Sequence, residues 1–349
     1  MSASAAPREV VDLREDWERL AEASGNIFST WEWASIWWST LGKGREPVIG
    51  RVRSDAGATT GLVPLARRRG PVRTLRFAGA GTADQVGVLC APEAREETAA
   101  ELRRLVEDTP HDVFLAERLA GDEGWTASLG AEPTLRESSP VVEIETDDWE
   151  AFLAARSSNF RQQVRKFERR LERDHDLRFH QTTSHDELSR HLDLVFQLHA
   201  ARWGEGTTDF QRHPARAFHE QFAAAALERG WLRLWIAELD GRPAAAWYGF
   251  RFGGADWFYN QGRDPAFERS SVGFVLTAHA LREAVHDGMR EYKFLLGGED
   301  YKKRFASEDH GLETFVLPHT KRGRLGVLAE RGSYRLPERS ARFLRKLVV

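Results

Sequence analysis

The spacing of hydrophobic residues along the chain predicts helices and strands that alternate from residue 27 onward. A helix is predicted over "FSTWEWASIWWSTLG", because apolar residues recur every three to four positions between an N-cap at Ser29 or Thr30 and a stop at Gly42. Runs of Val, Leu and Phe bounded by turn residues predict strands. The strands of this half are EPVIGRVRS, TTGLVPLARRRG, TLRFAG, DVFLAERL and SPVVEIE, and its further helices are ETAAELRRLVED and part of GWTASLGAEP.

The second half of the chain repeats this order with longer elements. "WLRLWIAELDGRPAAAWYGFRFGGADWFYNQGRD" predicts three antiparallel strands with turns at Asp240-Gly241 and Gly253-Gly254. The helix "SSVGFVLTAHALREAVHDG" has Ser270 or Ser271 as its N-cap. The remaining predicted helices are WEAFLAARS, SNFRQQVRKFERRLERDH, SHDELSRHLDLVFQLHAARW, HPARAFHEQFAAAALERG and EDYKKRFA, and the remaining strands are DLRFHQTT, EYKFLLGG and LETFVLP.

The repeated order of elements predicts an α+β fold with two similar domains, each a mixed, mainly antiparallel sheet flanked by helices. A length of 349 residues suits two domains better than one core. The predicted segments are an N-terminal extension over 1–26, a first domain over 27–146, a second domain over 147–319 and a basic tail over 320–349. The tail is predicted to be partly helical from Pro337. It could contact anionic lipid, and the alternative is a flexible, solvated extension.

Composition places the chain among globular proteins, with 41% hydrophobic and 30% charged residues and a net charge of -3. Cys90 is the single cysteine, so no internal disulfide can form, and a reducing compartment is expected. The charged start "MSASAAPREVVDLREDW" is not a secretory signal, and no apolar run is long enough for a membrane span. We therefore expect a cytoplasmic protein. No zinc-ligand spacing, P-loop or G-x-S-x-G motif occurs, and no metal is predicted.

Anion binding is predicted at the start of the helix that follows the three strands. Its unpaired backbone N–H groups at Ser271, Val272 and Gly273 would face outward beside a strand end, where phosphate groups commonly bind. Gly273 would allow close approach of a ligand. The alternative is an ordinary capped helix.

Two further groups of residues are candidates for substrate binding. The helix over 158–173 carries Arg161 and Arg165 one turn apart, and its excess of positive charge suits a phosphate cradle, although a solvated face is the alternative. "HAARW" places His199 and Arg202 on one helical face, although an ordinary surface or core histidine is equally compatible with the pattern.

The stretch "EYKFLLGGEDYKKRFAS", residues 291–307, breaks an apolar run at Gly297-Gly298 and continues with charges. Only seven of the 50 basic Lys and Arg residues are lysines, and two of them are adjacent here. On a helix, Glu299 and Lys302 share a face, whereas Lys303 points about 100° away and is expected to be solvated.

The chain resembles acetyltransferase-like proteins associated with bacterial cellulose and exopolysaccharide biosynthesis. The resemblance lies in residues 291–307 and in "FRQQVRKFERRLERDHDLRF", "LHAARW" and "WFYNQGRDPAFERSSVGF". That family belongs to the GNAT superfamily and is related to the Fem-type aminoacyltransferases. The resemblance covers roughly residues 27–318, and its most specific piece is "GGEDYKKRFA", which resembles a Gly-x-Glu-x-Tyr-Lys pattern. It implies two tandem GNAT-like domains.

The resemblance also implies that the protein transfers an acyl group from acyl-CoA, with acetyl-CoA expected, to an amine. The donor's pyrophosphate would lie at Ser271, Val272 and Gly273 with Arg263 nearby. The usual Q/R-x-x-G-x-G/A loop is absent, since "RDPAFERSSVG" keeps only Gly273. Fem-type relatives use aminoacyl-tRNA instead, so an aminoacyl-tRNA-dependent transferase, with tRNA as a partner, is an alternative. A non-catalytic protein of polysaccharide assembly, whose tail contacts anionic lipid, is a third.

Roles follow from the same resemblance. Glu299 is the predicted acid/base group, Lys302 would stabilise developing negative charge, and Tyr301 would pack or donate a hydrogen bond. Tyr259 would protonate a leaving thiolate. The alternative is that Glu299, Tyr301 and Lys302 form only a helix cap and salt bridge. The predicted binding residues for a small-molecule amine acceptor are Arg161, Arg165, His199, Arg202, Trp203 and Tyr248.

Overall fold

The computed structural model describes residues 6–203, 210 and 213–333. The chain divides into two compact units, a first unit of residues 1–137 with 311–349 and a second unit of residues 138–310. Within the described residues, each unit contains a seven-stranded sheet flanked by helices. One pair of neighbouring strands in each sheet is parallel and the other pairs are antiparallel. The predicted α+β fold with two mixed sheets is confirmed.

The sheet of the first unit has the order β1-β2-β3-β5-β14-β6, and β4 pairs with β2. Only β3 and β5 run parallel. The strands are β1 (Arg45–Arg53), β2 (Thr59–Arg68), β3 (Thr74–Phe77), β4 (Leu89–Cys90), β5 (Val113–Ala120), β6 (Leu135–Glu137) and β14 (Leu312–Pro318). The helices are α1 (Arg8–Val11), α2 (Arg14–Ser24), α3 (Trp31–Thr40), α4 (Arg95–Asp108), α5 (Trp125–Leu129) and α12 (Lys321–Ser333).

Tryptophan side chains of α2 and α3 lie in the core of the first unit. The Thr30 side chain accepts the Trp33 N–H and caps α3, as the sequence predicts, and Trp33 is fully buried. Trp17 of α2 is also buried, and its indole N–H donates to the Ser29 carbonyl. Because α2 contributes to this core, residues 14–24 are part of the first unit and not an extension outside it.

The sheet of the second unit has the order β13-β7-β12-β11-β10-β9-β8, with only β11 and β12 parallel. The strands are β7 (Pro140–Glu143), β8 (Leu177–Gln181), β9 (Leu232–Leu239), β10 (Arg242–Phe252), β11 (Ala255–Arg263), β12 (Glu291–Lys293) and β13 (Glu308–Asp309). The helices are α6 (Trp149–Ala154), α7 (Ser158–Asp174), α8 (His185–Trp203), α9 (Ala215–Glu228), α10 (Val272–His286) and α11 (Asp300–Phe305).

Helices cover both faces of this second sheet. On one face, Trp247 of β10 and Phe258 of β11 pack in a core with Phe152 of α6, Val164 of α7 and Leu276 of α10. On the other face, Phe222 of α9 contacts the ring of Phe250 with centroids 5.0 Å apart. Helix α8 lies very close to β11. A Cβ added at Gly262 would be only 2.3 Å from the backbone nitrogen of His199. That glycine is required by the close approach of the two backbones.

Two strands belong to a different sheet from the one predicted for them. "SPVVEIE", predicted to close the first domain, contains β7, which pairs with β12 through Tyr292 opposite Val142. "LETFVLP", predicted in the second domain, contains β14, which pairs with β5 and β6 of the first sheet. A hydrophobic run specifies a strand but not its partner, so the units differ from the predicted domains 27–146 and 147–319.

Two shorter corrections concern strand length and the tail. The predicted strand "EYKFLLGG" ends at Lys293, because Leu295 has a φ of 56° and Gly297 a φ of 111°, which turn the chain away. The start of the predicted tail forms α12, and the helix predicted from Pro337 lies outside the described residues. In the part of the chain that is described, no helix has the length and apolar content to cross a membrane.

Candidate active site

Strands β11 and β12 separate after a short parallel pairing. They pair only from Ala255 opposite Glu291 to Trp257 opposite Lys293, and β12 then ends while β11 continues to Arg263. Beyond Trp257, the edge of β11 that faces away from β10 therefore has no strand partner among the described residues. Tyr259 is the extra residue of a bulge on the β10 side, which further distorts this part of the strand.

A cavity of about 230 Å³ lies where β11 ends and α10 begins, and we call it the β11–α10 cavity. Four residues predicted to bind the donor line it, namely Ser271, Val272, Gly273 and Arg263. The other lining residues are Phe167, Arg202, Gln261, Glu268, Phe274, Tyr301 and Arg304. The structure thus brings the predicted donor residues together with Tyr301 and Arg202.

The start of α10 is shaped by both of the serines considered as caps. Ser271 occupies the N-cap position in the left-handed conformation, with a φ of 64°, and its side chain makes no capping hydrogen bond. The Val272 N–H donates to Ser270 Oγ at 3.2 Å, so it is not free in this conformation. Gly273 presents its backbone to the cavity, and an added Cβ would be 3.4 Å from the Gln261 side chain.

One ion pair lies at the mouth of this cavity. Arg263 Nη2 is 3.2 Å from Glu268 Oε1, and Glu268 belongs to a 3₁₀ helix over Pro265–Ser270 that Asp264 caps. This short helix occupies the position at which the resemblance would place a glycine-rich loop. Any anionic group entering the cavity would meet the Glu268 carboxylate together with the Arg263 cation.

Tyr301 and Arg202 form the polar centre of the cavity. Both line the cavity, and the Arg202 guanidinium and the Tyr301 hydroxyl influence each other's pKa. Burial raises the pKa of Tyr301 well above its ordinary value, the nearby Glu299 charge adds to this, and Arg202 partly opposes it. Burial also lowers the pKa of Arg202, which remains a cation at neutral pH. Tyr301 is therefore a protonated phenol with a half-buried cation beside it.

Glu299 and Lys302 form an ion pair at the start of α11. Lys302 Nζ lies 3.0 Å from Glu299 Oε2 and donates to the Leu296 carbonyl at 2.6 Å, while its side chain is only 5% exposed. Glu299 is half-exposed, and nearby Gly297 has a φ of 111°, a backbone conformation that explains the glycine there. Neither side chain lines the β11–α10 cavity. Lys302 instead holds the turn between β12 and α11.

Three other predicted residues lie on the α8 and α9 side of the sheet and do not line this cavity. The Tyr259 hydroxyl is 3.4 Å from His219 Nε2. Tyr248 is fully buried, and burial raises the pKa of its hydroxyl. Burial lowers the pKa of His199 to about 4, so this ring is neutral at pH 7. The side chain of Trp203 lies outside the described residues.

The structure does not bring Arg161 and Arg165 to the cavity. Arg161 Nη1 donates to the carbonyls of Arg156 and Ala154, and Arg165 pairs with Glu150. Both guanidinium groups are engaged by neighbours near the start of α7. The predicted phosphate cradle at these two positions therefore stays a prediction, separate from the β11–α10 cavity.

Sequence reasoning missed Arg304 and Gln261. Arg304 lies three residues after Tyr301 and lines the same cavity, which helical spacing could have indicated. Gln261 Nε2 donates to the Gly273 carbonyl at 2.9 Å and to Thr277 Oγ1 at 3.1 Å. Nothing in the sequence indicates this contact, because it joins two elements whose relative placement only the fold provides. In the described part of the chain, no cluster of three or more His, Cys, Asp or Glu residues could hold a metal ion.

Comparison with known proteins agrees with this geometry. Residues 158–303, which include every lining residue of the β11–α10 cavity except Arg304, match the family model described as an acetyltransferase (GNAT) domain. No curated protein is significantly similar to the chain in sequence.

Solved structures share the fold across most of the chain at low sequence identity. FemX has 11% identity and a TM-score of 0.63, over 90% of this chain and 98% of FemX. L-PGS from Bacillus licheniformis has 11% identity and a TM-score of 0.56, over 96% and 99% of the two chains. A tandem GNAT protein from the clavulanic acid biosynthesis pathway has 13% identity and a TM-score of 0.51, over 90% and 98%. The chain thus shares the fold of these solved structures, and its residues 158–303 match the GNAT acetyltransferase domain.

Proposed function

We propose that the second unit transfers an acyl group from acyl-CoA, with acetyl-CoA as the first candidate, to an amine of a small metabolite, amino sugar or amino acid. The observation that carries this proposal is the unpaired edge of β11, which leads into the cavity at the start of α10. An extended pantetheine arm fits beside such an edge, and a pyrophosphate fits at the first turn of a helix. The GNAT match over residues 158–303 supports the same reaction class.

The proposed reaction is direct attack of the amine on the thioester. The amine nitrogen bonds to the carbonyl carbon as the bond from carbon to sulfur breaks, and the Glu299 carboxylate takes the amine proton. Tyr301 gives its proton to the departing thiolate, since its raised pKa keeps it protonated. Arg202 beside it stabilises negative charge on the carbonyl oxygen.

This assignment changes two roles predicted from the sequence. Tyr301 replaces Tyr259 as proton donor, because Tyr301 lines the cavity and Tyr259 contacts His219 instead. Lys302 becomes a positioning residue for Glu299, because its ammonium group is engaged by Glu299 and Leu296. The predicted roles of Ser271, Val272, Gly273 and Arg263 in donor binding are retained.

An aminoacyl-tRNA donor is the second candidate, and Glu268 favours it. A carboxylate that lines the cavity and pairs with Arg263 opposes a pyrophosphate at that position. An aminoacyl ester also presents an activated carbonyl to an amine, so Glu299, Tyr301 and Arg202 would keep the same roles. The sequence resemblance further supports membership in the family associated with exopolysaccharide biosynthesis. The single cysteine supports a cytoplasmic location.

Thermal unfolding in the presence of coenzyme A, acetyl-CoA and bulk tRNA tests the donor. A ligand at 100 times its Kd adds about 2.7 kcal/mol to stability, which gives a readable rise in Tm. A rise with the coenzyme A compounds alone supports the proposal. A rise with tRNA that disappears at high salt supports the second candidate. No rise with any of them contradicts both and favours a non-catalytic protein.

Substitutions at Gly273 test whether the donor binds in the β11–α10 cavity. An alanine Cβ there would have ordinary contact with Gln261, so Gly273→Ala is expected to fold and to retain much of the coenzyme A response. Gly273→Val would project methyl groups into the cavity and abolish the response. A folded Gly273→Val protein with the full response would place the donor elsewhere.

A further inference from the structure

A second and larger cavity, of about 620 Å³, lies between the start of α7 and α11 in the second unit. We call it the α7–α11 cavity. Its polar lining comes from Arg156, Ser157, Asn159 and Gln163 on one side and from Lys303 and Arg304 on the other. None of the roles assigned above uses Arg156 or Lys303.

The lining of this cavity is cationic and contains no carboxylate. Arg156, Lys303 and Arg304 line it, and none of its lining residues is Asp or Glu. Within the described residues, neither Lys303 nor Arg304 has an ion-pair partner. This contrasts with other arginines of the second unit, for example Arg165, which pairs with Glu150, and Arg282, which pairs with Glu168.

Arg156 is held in place without a carboxylate contact. Its Nη2 donates to the Glu143 backbone carbonyl at 3.0 Å, and its guanidinium lies 4.5 Å from the centre of the Phe152 ring. Glu143 and Glu145 are the acidic groups that act on it, and neither lines the cavity. Burial lowers the pKa of Arg156, and the group remains charged at neutral pH. The cavity thus has one cation held by its neighbours, Arg156, and two exposed cations, Lys303 and Arg304.

The α7–α11 cavity adjoins the β11–α10 cavity. Arg304 lines both, and Tyr301 lies one helical turn before it on α11. Along α7, Phe160 and Gln163 line the larger cavity, and Phe167, one turn further, lines the smaller one. A ligand held in the larger cavity would therefore lie next to the proposed reaction centre.

We propose that the α7–α11 cavity binds an anionic group, a phosphate or carboxylate, carried by the acceptor amine. Identifying this ligand as the acceptor depends on the proposed function. The anion site itself depends only on Arg156, Lys303 and Arg304. The first turn of α7 adds to the positive potential. The Ser157 side chain accepts only the Phe160 N–H, so the N–H groups of Ser158 and Asn159 keep their partial positive charge. The acceptor is then an amino sugar phosphate or an amino acid in preference to an uncharged amine.

Calorimetric titration with inorganic pyrophosphate tests this proposal. The full chain is titrated at low ionic strength in saturating coenzyme A, so that the β11–α10 cavity is occupied. Wild type is expected to bind, and Lys303→Ala is expected to bind at least about tenfold more weakly. Lys303 is exposed, so this variant is expected to fold. Lys166→Ala removes an equally exposed lysine of α7 that lines neither cavity, and it should bind like wild type.

Three results would overturn the proposal. The first is no pyrophosphate binding by wild type, and the second is equal binding by wild type and Lys303→Ala. The third has two parts. Coenzyme A displaces pyrophosphate, and Lys303→Ala lowers the affinity for coenzyme A but not for dephospho-coenzyme A. That result would assign the cavity to the 3′-phosphate of the donor. Pyrophosphate binding that depends on Lys303, in a protein that does not bind coenzyme A, would support the anion site while rejecting the proposed donor.

Discussion

Lys302 and Lys303 are neighbours in the chain and have opposite surroundings. Lys302 is buried and paired with Glu299, whereas Lys303 is exposed at the α7–α11 cavity. Helical geometry predicted this division, because successive residues on a helix point about 100° apart. The contact of Lys302 with the Leu296 carbonyl could not be predicted, since it depends on a turn whose left-handed Leu295 has no sequence signature.

Lys302→Met tests the positioning role. Methionine keeps the length of the side chain but leaves the Leu296 carbonyl and Glu299 without their partner, which costs about 2 kcal/mol and lowers Tm by roughly 5 °C. Because Glu299 is then no longer held, acyl transfer is expected to fall by about tenfold or more. Lys166→Met, at an exposed position of α7, is the control for both measurements. Wild-type Tm and turnover in Lys302→Met would contradict this role.

Tyr301→Phe tests the proposed proton donor. Phenylalanine keeps the packing, so binding of acetyl-CoA should hold, while kcat falls on the order of 100-fold for loss of the acid. Because burial raises the pKa of Tyr301 above its ordinary value of 10.0, the wild-type phenol stays protonated as pH rises from 7 to 9. No loss of kcat from this group is therefore expected in that range.

Tyr259→Phe is the matched control for that experiment. The sequence resemblance favours Tyr259 as the donor, and the cavity favours Tyr301. A larger loss of kcat in Tyr259→Phe than in Tyr301→Phe would restore the original assignment. Equal and small losses would mean that neither hydroxyl protonates the leaving group.

At the scale of elements, the sequence predicts most helices and strands but not their partners. The cap of α3 at Thr30 and the turns at Asp240-Gly241 and Gly253-Gly254 form as expected, because each depends on residues close in the chain. The separation of β11 and β12, which opens the candidate site, depends on where β12 ends. That end is set by contacts between distant segments, which periodicity does not encode.

The packing of α10 on the sheet predicts a loss of stability in acid. His279 of α10 stacks on Phe179 of β8 with ring centres 3.9 Å apart, and burial, with a smaller contribution from Arg282, lowers its pKa to about 4. The unfolded chain binds a proton at this residue below about pH 6.5, and the folded chain does so only below about pH 4. Stability is therefore expected to fall as pH decreases from 6.5 to 4.

Melting temperatures at pH 7.5 and 5.0 measure this effect. His279→Leu should reduce the difference between the two values, and the buried His199, whose pKa is also lowered to about 4, should account for part of what remains. His185→Leu, at an exposed position of α8, is the control and should leave the difference unchanged. A difference that is the same in wild type and His279→Leu would contradict the assignment.

At the scale of the whole molecule, the chain leaves the first unit at residue 137 and returns to it at residue 311. The returning segment supplies β14, which lies between β5 and β6 and is antiparallel to both. Phe315 of this strand is fully buried. The first unit therefore depends on residues that follow the second unit in sequence. The predicted boundary between residues 146 and 147 thus separates the first sheet from one of its own strands.

A chain that ends at His310 is expected to lose the fold of the first unit. Without β14, the β5 edge loses its backbone partners and the Phe315 site becomes a cavity. Together these losses remove a large part of the about 5–15 kcal/mol by which a typical domain is stable. Limited proteolysis with mass spectrometry should then show rapid cleavage within residues 1–137. A chain that ends at Ser333 retains β14 and α12 and should resist cleavage there. Equal resistance of the two chains would mean that the first sheet is complete without its returning strand.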